Sequence, residues 1–234
     1  DLRLYFDKRS YERPGTMCNL PLPDCVGMNG EMSKKMYLDG GYLESGLIEL
    51  EALRYLYLND SVERSSNLSL GKSDEMTLLI LSDYMKGKTI QQMEMLQKSI
   101  QHTTNKKIRY IVKPHPACQV LSKDYPELDL VVTNDPISML IDHCSLIYTS
   151  NSTSSAVDAY YAGKPVVTFL NPESLNFSPL RGSKSVLFVS SPRELASVLN
   201  DIGQIKGVRG QGEGYFYLDS KLPRWKNLLV KHKK

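Results

Sequence analysis

Two short stretches carry side chains that could do chemistry. One is Lys113-Pro114-His115-Pro116. A histidine between two prolines sits in a stiffened turn from which two backbone donors have been removed, so the imidazole is held outward with little freedom. With Lys113 beside it, His115 could stabilise a departing phosphate or protonate it. The plain alternative is a turn histidine without a role. The other stretch is Thr149 to Ser154, six consecutive small polar residues. It could offer Ser150, Asn151, Ser152, Thr153 and Ser154 side chains plus free backbone N–H groups to an anion, because a helix follows and the first N–H groups of a helix lack intrahelical partners. The plain alternative here is an ordinary polar loop with a helix cap. Asp158 follows Ser154 at helical spacing, on the same face, where a carboxylate could accept from ribose hydroxyls or simply be solvated.

Both stretches need strands to position them. Ile108–Val112 is an apolar run that stops on Lys113, and Leu146–Tyr148 is one that runs into Thr149. After the polar run, Ser155–Ala162 reads as a helix, Gly163 as its stop, and Val166–Leu170 as the next strand. The same alternation holds along most of the chain. Cys25–Met28 is a short strand ending in Asn29-Gly30, Glu31–Leu38 a helix closed by Gly40-Gly41, and Leu47–Leu50 a strand. The stretch Glu51–Leu58 is rich in helix formers. Met76–Leu81 is a buried strand ending in Ser82-Asp83-Tyr84. Lys88–Ile100 is a helix with Ile90, Met93, Leu96 and Ile100 on one face. Leu128–Val132 and Ser185–Val189 are further strands, and Ile137–Ile141 is a short helix. Ser191, Pro192 and Glu194 form a capping box with proline at the first helical position, opening a helix to Leu199. A terminal helix holds Trp225.

Continuous apolar strands separated by amphipathic helices mean a parallel sheet covered on both faces, a Rossmann-like α/β fold. Ligands of such sheets bind beyond the carboxyl ends of the strands. The residues there, Asn29-Gly30, Ser82-Asp83-Tyr84, Lys113-Pro-His115-Pro and the 149–154 run, are overwhelmingly small, polar or ionisable, as a phosphate- and sugar-binding rim requires. We divide the chain into an arm or linker over 1–24, one Rossmann-like domain over 25–205, and an extension with a terminal helix over 206–234. Residues 59–75 read as a Ser-rich loop.

Composition narrows the classes. The 234 residues carry 29 basic and 26 acidic side chains, a net charge of +3, which is too balanced for nucleic acid to be the main partner. The basic excess is concentrated at the end, in Lys221, Arg224, Lys226, Lys231, Lys233 and Lys234. That is a solvated end or a contact with an anionic membrane surface. Cys18, Cys25, Cys118 and Cys144 form no C-x-x-C pair, which argues against zinc and for a reducing compartment. No signal peptide and no apolar stretch of about eighteen residues is present, so a cytoplasmic protein, peripheral at most to the inner membrane, is expected. No Gly-x-Gly-x-x-Gly, Walker-type Gly-Lys-Ser/Thr, Gly-x-Ser-x-Gly or metal-ligand cluster occurs. No metal and no cofactor is therefore expected.

The ordered set Lys113-Pro-His115-Pro116, Thr149-Ser-Asn-Ser-Thr-Ser154 and Asp158-Ala-Tyr-Tyr-Ala-Gly163-Lys-Pro-Val-Val resembles the C-terminal, donor-binding half of GT-B glycosyltransferases. Within these it is most similar to bacterial surface-carbohydrate enzymes of the sialyltransferase-like and Kdo-transferase-like kind. The resemblance covers roughly residues 20–205. It implies glycosyl transfer from a nucleotide-sugar, a CMP-linked nonulosonate or Kdo. His115 would be catalytic at the donor phosphate, Ser152–Ser154 would bind that phosphate, and Asp158 would stand where many such enzymes hold a ribose-binding carboxylate. It further implies a glycan or lipid-linked acceptor and a missing N-terminal domain, so that this chain is a fragment inactive by itself. Ser150 occupies the position eight before Asp158 where the common retaining hexosyltransferases carry a glutamate, which disfavours that subset. The alternatives are a polyol-phosphate transferase of the teichoic-acid type and a non-catalytic nucleotide-binding partner module.

Overall fold

The computed structural model describes residues 8, 22–59, 76–105, 107–207 and 215–231. Most of the expected 1–24 arm, the loop over 60–75 and parts of the 206–234 extension lie outside them. The chain forms two compact units: residues 1–63 with 212–234, and residues 64–211. The expected single domain over 25–205 is thus divided, because its strands fall into two sheets.

The first unit contains a parallel pair, β1 (Val26–Met28) and β2 (Leu47–Glu49), in register Val26 to Leu47. Helix α1 (Glu31–Asp39) joins them and ends at Gly40, with Gly41 in the left-handed region at φ 88°. The helix expected over 51–58 is broken up and begins with a single 3-10 turn, Leu53–Tyr55. Instead, the chain past β2 buries Glu51 completely. The Glu51 carboxylate accepts the backbone N–H groups of Arg224 (2.9 Å) and Trp225 (3.1 Å). Those two residues open α6 (Pro223–Lys231), and the Trp225 Nε1–H donates to the Glu51 carbonyl at 2.9 Å. Burial raises the Glu51 pKa, but these N–H groups and the Arg224 charge outweigh it and hold it below the ordinary value.

The second unit is a six-stranded, all-parallel sheet. Its strands are β3 (Met76–Leu81), β4 (Ile108–Lys113), β5 (Leu130–Val132), β6 (Leu146–Ser150), β7 (Val166–Phe169) and β8 (Val186–Val189). Their order is β5-β4-β3-β6-β7-β8. The chain therefore adds strands on one side of β3, then returns and adds them on the other. This is the doubly wound Rossmann arrangement, with its switch point between β3 and β6.

These two central strands are buried on both faces, as their unbroken apolar runs require. Leu78, Ile80, Leu146 and Tyr148 join one core with Met93 and Leu96 of α2 (Lys86–Ile100) and with Leu195 and Leu199 of α5 (Pro192–Asn200). Leu79 and Ile147 are equally buried and alternate to the opposite face. There α4 (Ser155–Tyr161) packs on β6 and β7 and buries Ala156, Val157 and Ala159. Each fully buried Leu or Ile contributes about 1.5–3 kcal/mol. A short helix, α3 (Ile137–Leu140), completes the layer.

The buried stripe of α2 differs from the apolar one. Ile90 is 38% exposed, whereas Thr89 and Gln92 are buried. Their polar groups serve the strand ends, which fixes the rotation of the helix: the Gln92 Nε2 donates to the Leu81 and Tyr148 carbonyls. The capping box stands in modified form. The Ser191 Oγ accepts the Glu194 N–H, while the Glu194 carboxylate reaches the Ser190 N–H at 2.7 Å. Among the described residues no helix is long and apolar enough to cross a membrane.

Candidate active site

The site is built from the carboxyl ends of β3, β4 and β6. Parallel strands all end on one side, so every turn that follows them shares a rim. Past Leu81 come Ser82 and Asp83, 3% and 0% exposed. The Ser82 hydroxyl accepts the backbone N–H of His115 at 2.8 Å and so ties the turn after β4 to the end of β3.

Asp83 makes the denser set of contacts. Its Oδ1 accepts the Met85 N–H at 2.9 Å. Its backbone N–H donates to the Thr89 Oγ1, and the Thr89 hydroxyl donates to the Asp83 carbonyl. Its Oδ2 accepts from the Ser150 hydroxyl at 2.7 Å and from the Ser152 hydroxyl. One buried carboxylate thereby staples β3 to β6 across the switch point. Hydrogen bonds to an ionised acceptor are worth about 1.5–3 kcal/mol each, and the charge could not be buried without them. The Lys88 Nζ donates to the Ser152 Oγ at 3.2 Å and lies 5.8 Å from the centre of the Phe177 ring. It places a cation at the same crevice.

The other rim turn is open. His115 is exposed. Its carbonyl accepts the Cys118 N–H at 2.8 Å, closing a turn with Pro116 at the second position, where its fixed φ fits. Its Nδ1 accepts the Ala117 N–H at 3.1 Å. The Tyr84 ring meets the imidazole edge to face at 6.2 Å. Lys113 is half-buried and its Nζ donates to the Asn134 carbonyl at 3.2 Å, towards the turn after β5.

Several expected donors turn inward instead. Ser150, Asn151, Ser152 and Thr153 are all buried. The protons of Ser150 and Ser152 go to Asp83. The Asn151 amide donates to the Leu175 carbonyl at 3.0 Å, and Thr149 pairs with Thr168 between β6 and β7. Ser154 is half-buried and its side chain does not cap α4, which has only seven residues. The run is therefore not a set of open hydroxyls. Composition alone does not distinguish a serine that faces a ligand from one that faces a buried aspartate. Asp158 is 8% exposed, so it is not the solvated helix residue of the plain alternative.

Gly30 belongs to the first unit, where the Tyr215 and Phe216 backbone fills the space a Cβ would need. A packing requirement accounts for the glycine. Lys88 is the member of the cluster that the sequence left out of the site, and Asp83 was placed at the rim without a role of its own. The signal for Asp83 was its place two residues beyond a buried central strand.

No protein-family model matches the sequence, and no curated protein matches it. Solved structures do. The UDP-GlcNAc 2-epimerase of Neisseria meningitidis, bound to UDP-GlcNAc, matches with a TM-score of 0.61 at 12% identity, over 87% of this chain and 60% of its own. The UDP-GlcNAc 2-epimerase of Methanocaldococcus jannaschii, in complex with UDP-GlcNAc and UDP, matches with 0.60 at 13% identity, over 89% and 61%. The S. aureus MnaA–UDP structure matches with 0.53 at 12% identity, over 79% and 53%. The chain thus spans about three fifths of the length of the first two proteins. These likenesses show the fold, the Rossmann-like α/β fold of GT-B proteins.

Proposed function

We propose that the chain binds a nucleotide-sugar at the crevice between β3 and β6, as the donor-binding part of a sugar-modifying enzyme. The observation that carries this reading is the switch point itself: a doubly wound parallel sheet whose two central strands end in a polar, cation-bearing rim. The structures of similar fold that hold UDP or UDP-GlcNAc support it, and favour a uridine nucleotide over the CMP-linked nonulosonate or Kdo expected from the motifs.

In this reading the Lys88 ammonium and the His115 ring face the phosphates, and Asp158 takes the ribose. Negative charge that develops on a departing phosphate is stabilised by fixed donors in a partly water-excluded site, a contribution that needs no metal. We take the reaction to be glycosyl transfer to a glycan or lipid-linked acceptor. The second reading is epimerisation of the bound sugar, favoured by the 2-epimerases among the similar structures.

Thermal unfolding with a nucleotide panel tests the proposal. UDP or UDP-GlcNAc at about a hundred times its Kd should stabilise the second unit by about 2.7 kcal/mol. Lys88→Met should weaken UDP roughly tenfold while leaving uridine, which has no phosphate, unchanged. A shift with CMP-sugars or CDP-glycerol alone would move the donor class, and no shift with any nucleotide would end the reading. The fate of UDP-GlcNAc by NMR, free UDP with a transferred sugar or an inverted centre, separates the two reactions.

A further inference from the structure

We infer that the turn after β4 holds His115 as the neutral imidazole with its proton on Nε2, so that the ring serves the site as a fixed hydrogen-bond donor and not as an acid or a base. The inference deepens the nucleotide-sugar reading and rests on it for the identity of the acceptor, a phosphate oxygen. The tautomer itself rests on geometry alone. A backbone amide can only donate. The ring nitrogen 3.1 Å from the Ala117 nitrogen therefore presents a lone pair, and that nitrogen is Nδ1. A neutral imidazole has one N–H, so the proton is on Nε2.

The backbone fixes this arrangement from several sides. Pro114 is buried and Pro116 sets the turn. The His115 N–H is taken by the buried Ser82 hydroxyl from the neighbouring strand at 2.8 Å, and its carbonyl by the Cys118 N–H at 2.8 Å. Ser82 is thus a positioning residue for the ring. The residue is exposed, and its Nε2 has no partner among the described residues. The one free polar atom of the imidazole is an N–H at the rim.

The consequence for chemistry follows from proton bookkeeping. An imidazolium would place a second N–H against the Ala117 N–H, so this contact would have to be given up. To act as an acid from the neutral state it would have to leave an imidazolate. Neither step is used here: no proton moves, and His115 lowers the energy of a negatively charged oxygen by donating to it.

Long-range proton–nitrogen NMR on the uniformly 15N-labelled chain near neutral pH reads the tautomer directly, without ligand. The chain has 4 histidines, and the pair of ring nitrogens lost in His115→Gln belongs to His115. Nδ1 is expected in the unprotonated range and Nε2 in the protonated one. A protonated Nδ1, alone or with Nε2, overturns the inference. The donor role is read from affinity. His115→Gln, whose amide N–H falls near the place of Nε2, should keep UDP affinity within about threefold, and His115→Asn should lose roughly tenfold or more, with uridine unchanged in both. Equal losses in the two variants would overturn the donor role. If UDP does not bind the wild-type chain at all, the nucleotide reading fails, and the ring nitrogens still decide the tautomer.

Discussion

Two carboxylates, one in each unit, make an instructive pair. Glu51 and Asp83 are both 0% exposed, and both stand two residues past the end of a parallel strand. Each is buried because hydrogen-bond donors converge on it, since an unpartnered charge could not be. The donors differ in kind. Glu51 receives the first backbone N–H groups of a helix and fastens α6 within its unit. Asp83 receives two serine hydroxyls, one from the end of β6 and one from the turn after it, and a lysine reaches the second. The first arrangement uses up its donors in holding a helix. The second shapes the turn that carries the crevice and brings a cation to it. A buried carboxylate at a strand end is therefore not by itself a functional sign; its donors decide.

Substitutions can sharpen this contrast. The largest effect is expected for Asp83→Ala, which leaves two hydroxyls and the Met85 N–H without their acceptor: about 3 kcal/mol of stability, read by denaturant unfolding, together with weakened UDP binding. Glu51→Ala should cost about 2 kcal/mol, the upper range for a lost helix cap, and leave UDP affinity within about twofold. If Glu51→Ala weakened UDP as much as Asp83→Ala, the contrast would collapse.

The pH dependence separates them further. The folded pKa of Glu51 is depressed, so its stabilisation is complete above the ordinary value of 4.5 and is lost as the pH falls through the lower folded value. Wild-type stability should decline in that acid window more steeply than that of Glu51→Gln. A flat wild-type profile there would show that the cap is not ionised. The smallest effect belongs to a third, exposed carboxylate. The Ser190 N–H, ahead of the cost of burial, lowers the pKa of Glu194, and Ser191→Ala removes the cap beside it at a cost of about 1 kcal/mol with binding unchanged.

The local features were legible in the sequence. The strands of the six-stranded sheet, α5 with its capping serine, the Gly163 stop and the turn around His115 could be read from residue order, because each is set by neighbours within a few positions. The parallel, doubly covered sheet followed from the unbroken apolar runs of Met76–Leu81 and Leu146–Tyr148. Less legible was the face of α2. Ile90 looked like core, yet it is exposed, and the polar Thr89 and Gln92 are buried because the strand ends offer them partners.

Sequence by itself determined most of the segments that become strands and helices, the 51–58 stretch excepted, and that small polar and ionisable residues gather where strands end. Only the tertiary structure decided that β1 and β2 form a sheet of their own, that Gly30 is a packing glycine, and that Ser150, Asn151 and Ser152 spend their polar groups inside the protein while His115 stands exposed. Hydrophobic period and backbone propensity act over a few residues and can be read along the chain. The partner of a polar group is set by which strands the fold places side by side, and Ser150 and Asp83 meet only because β6 returns to lie against β3.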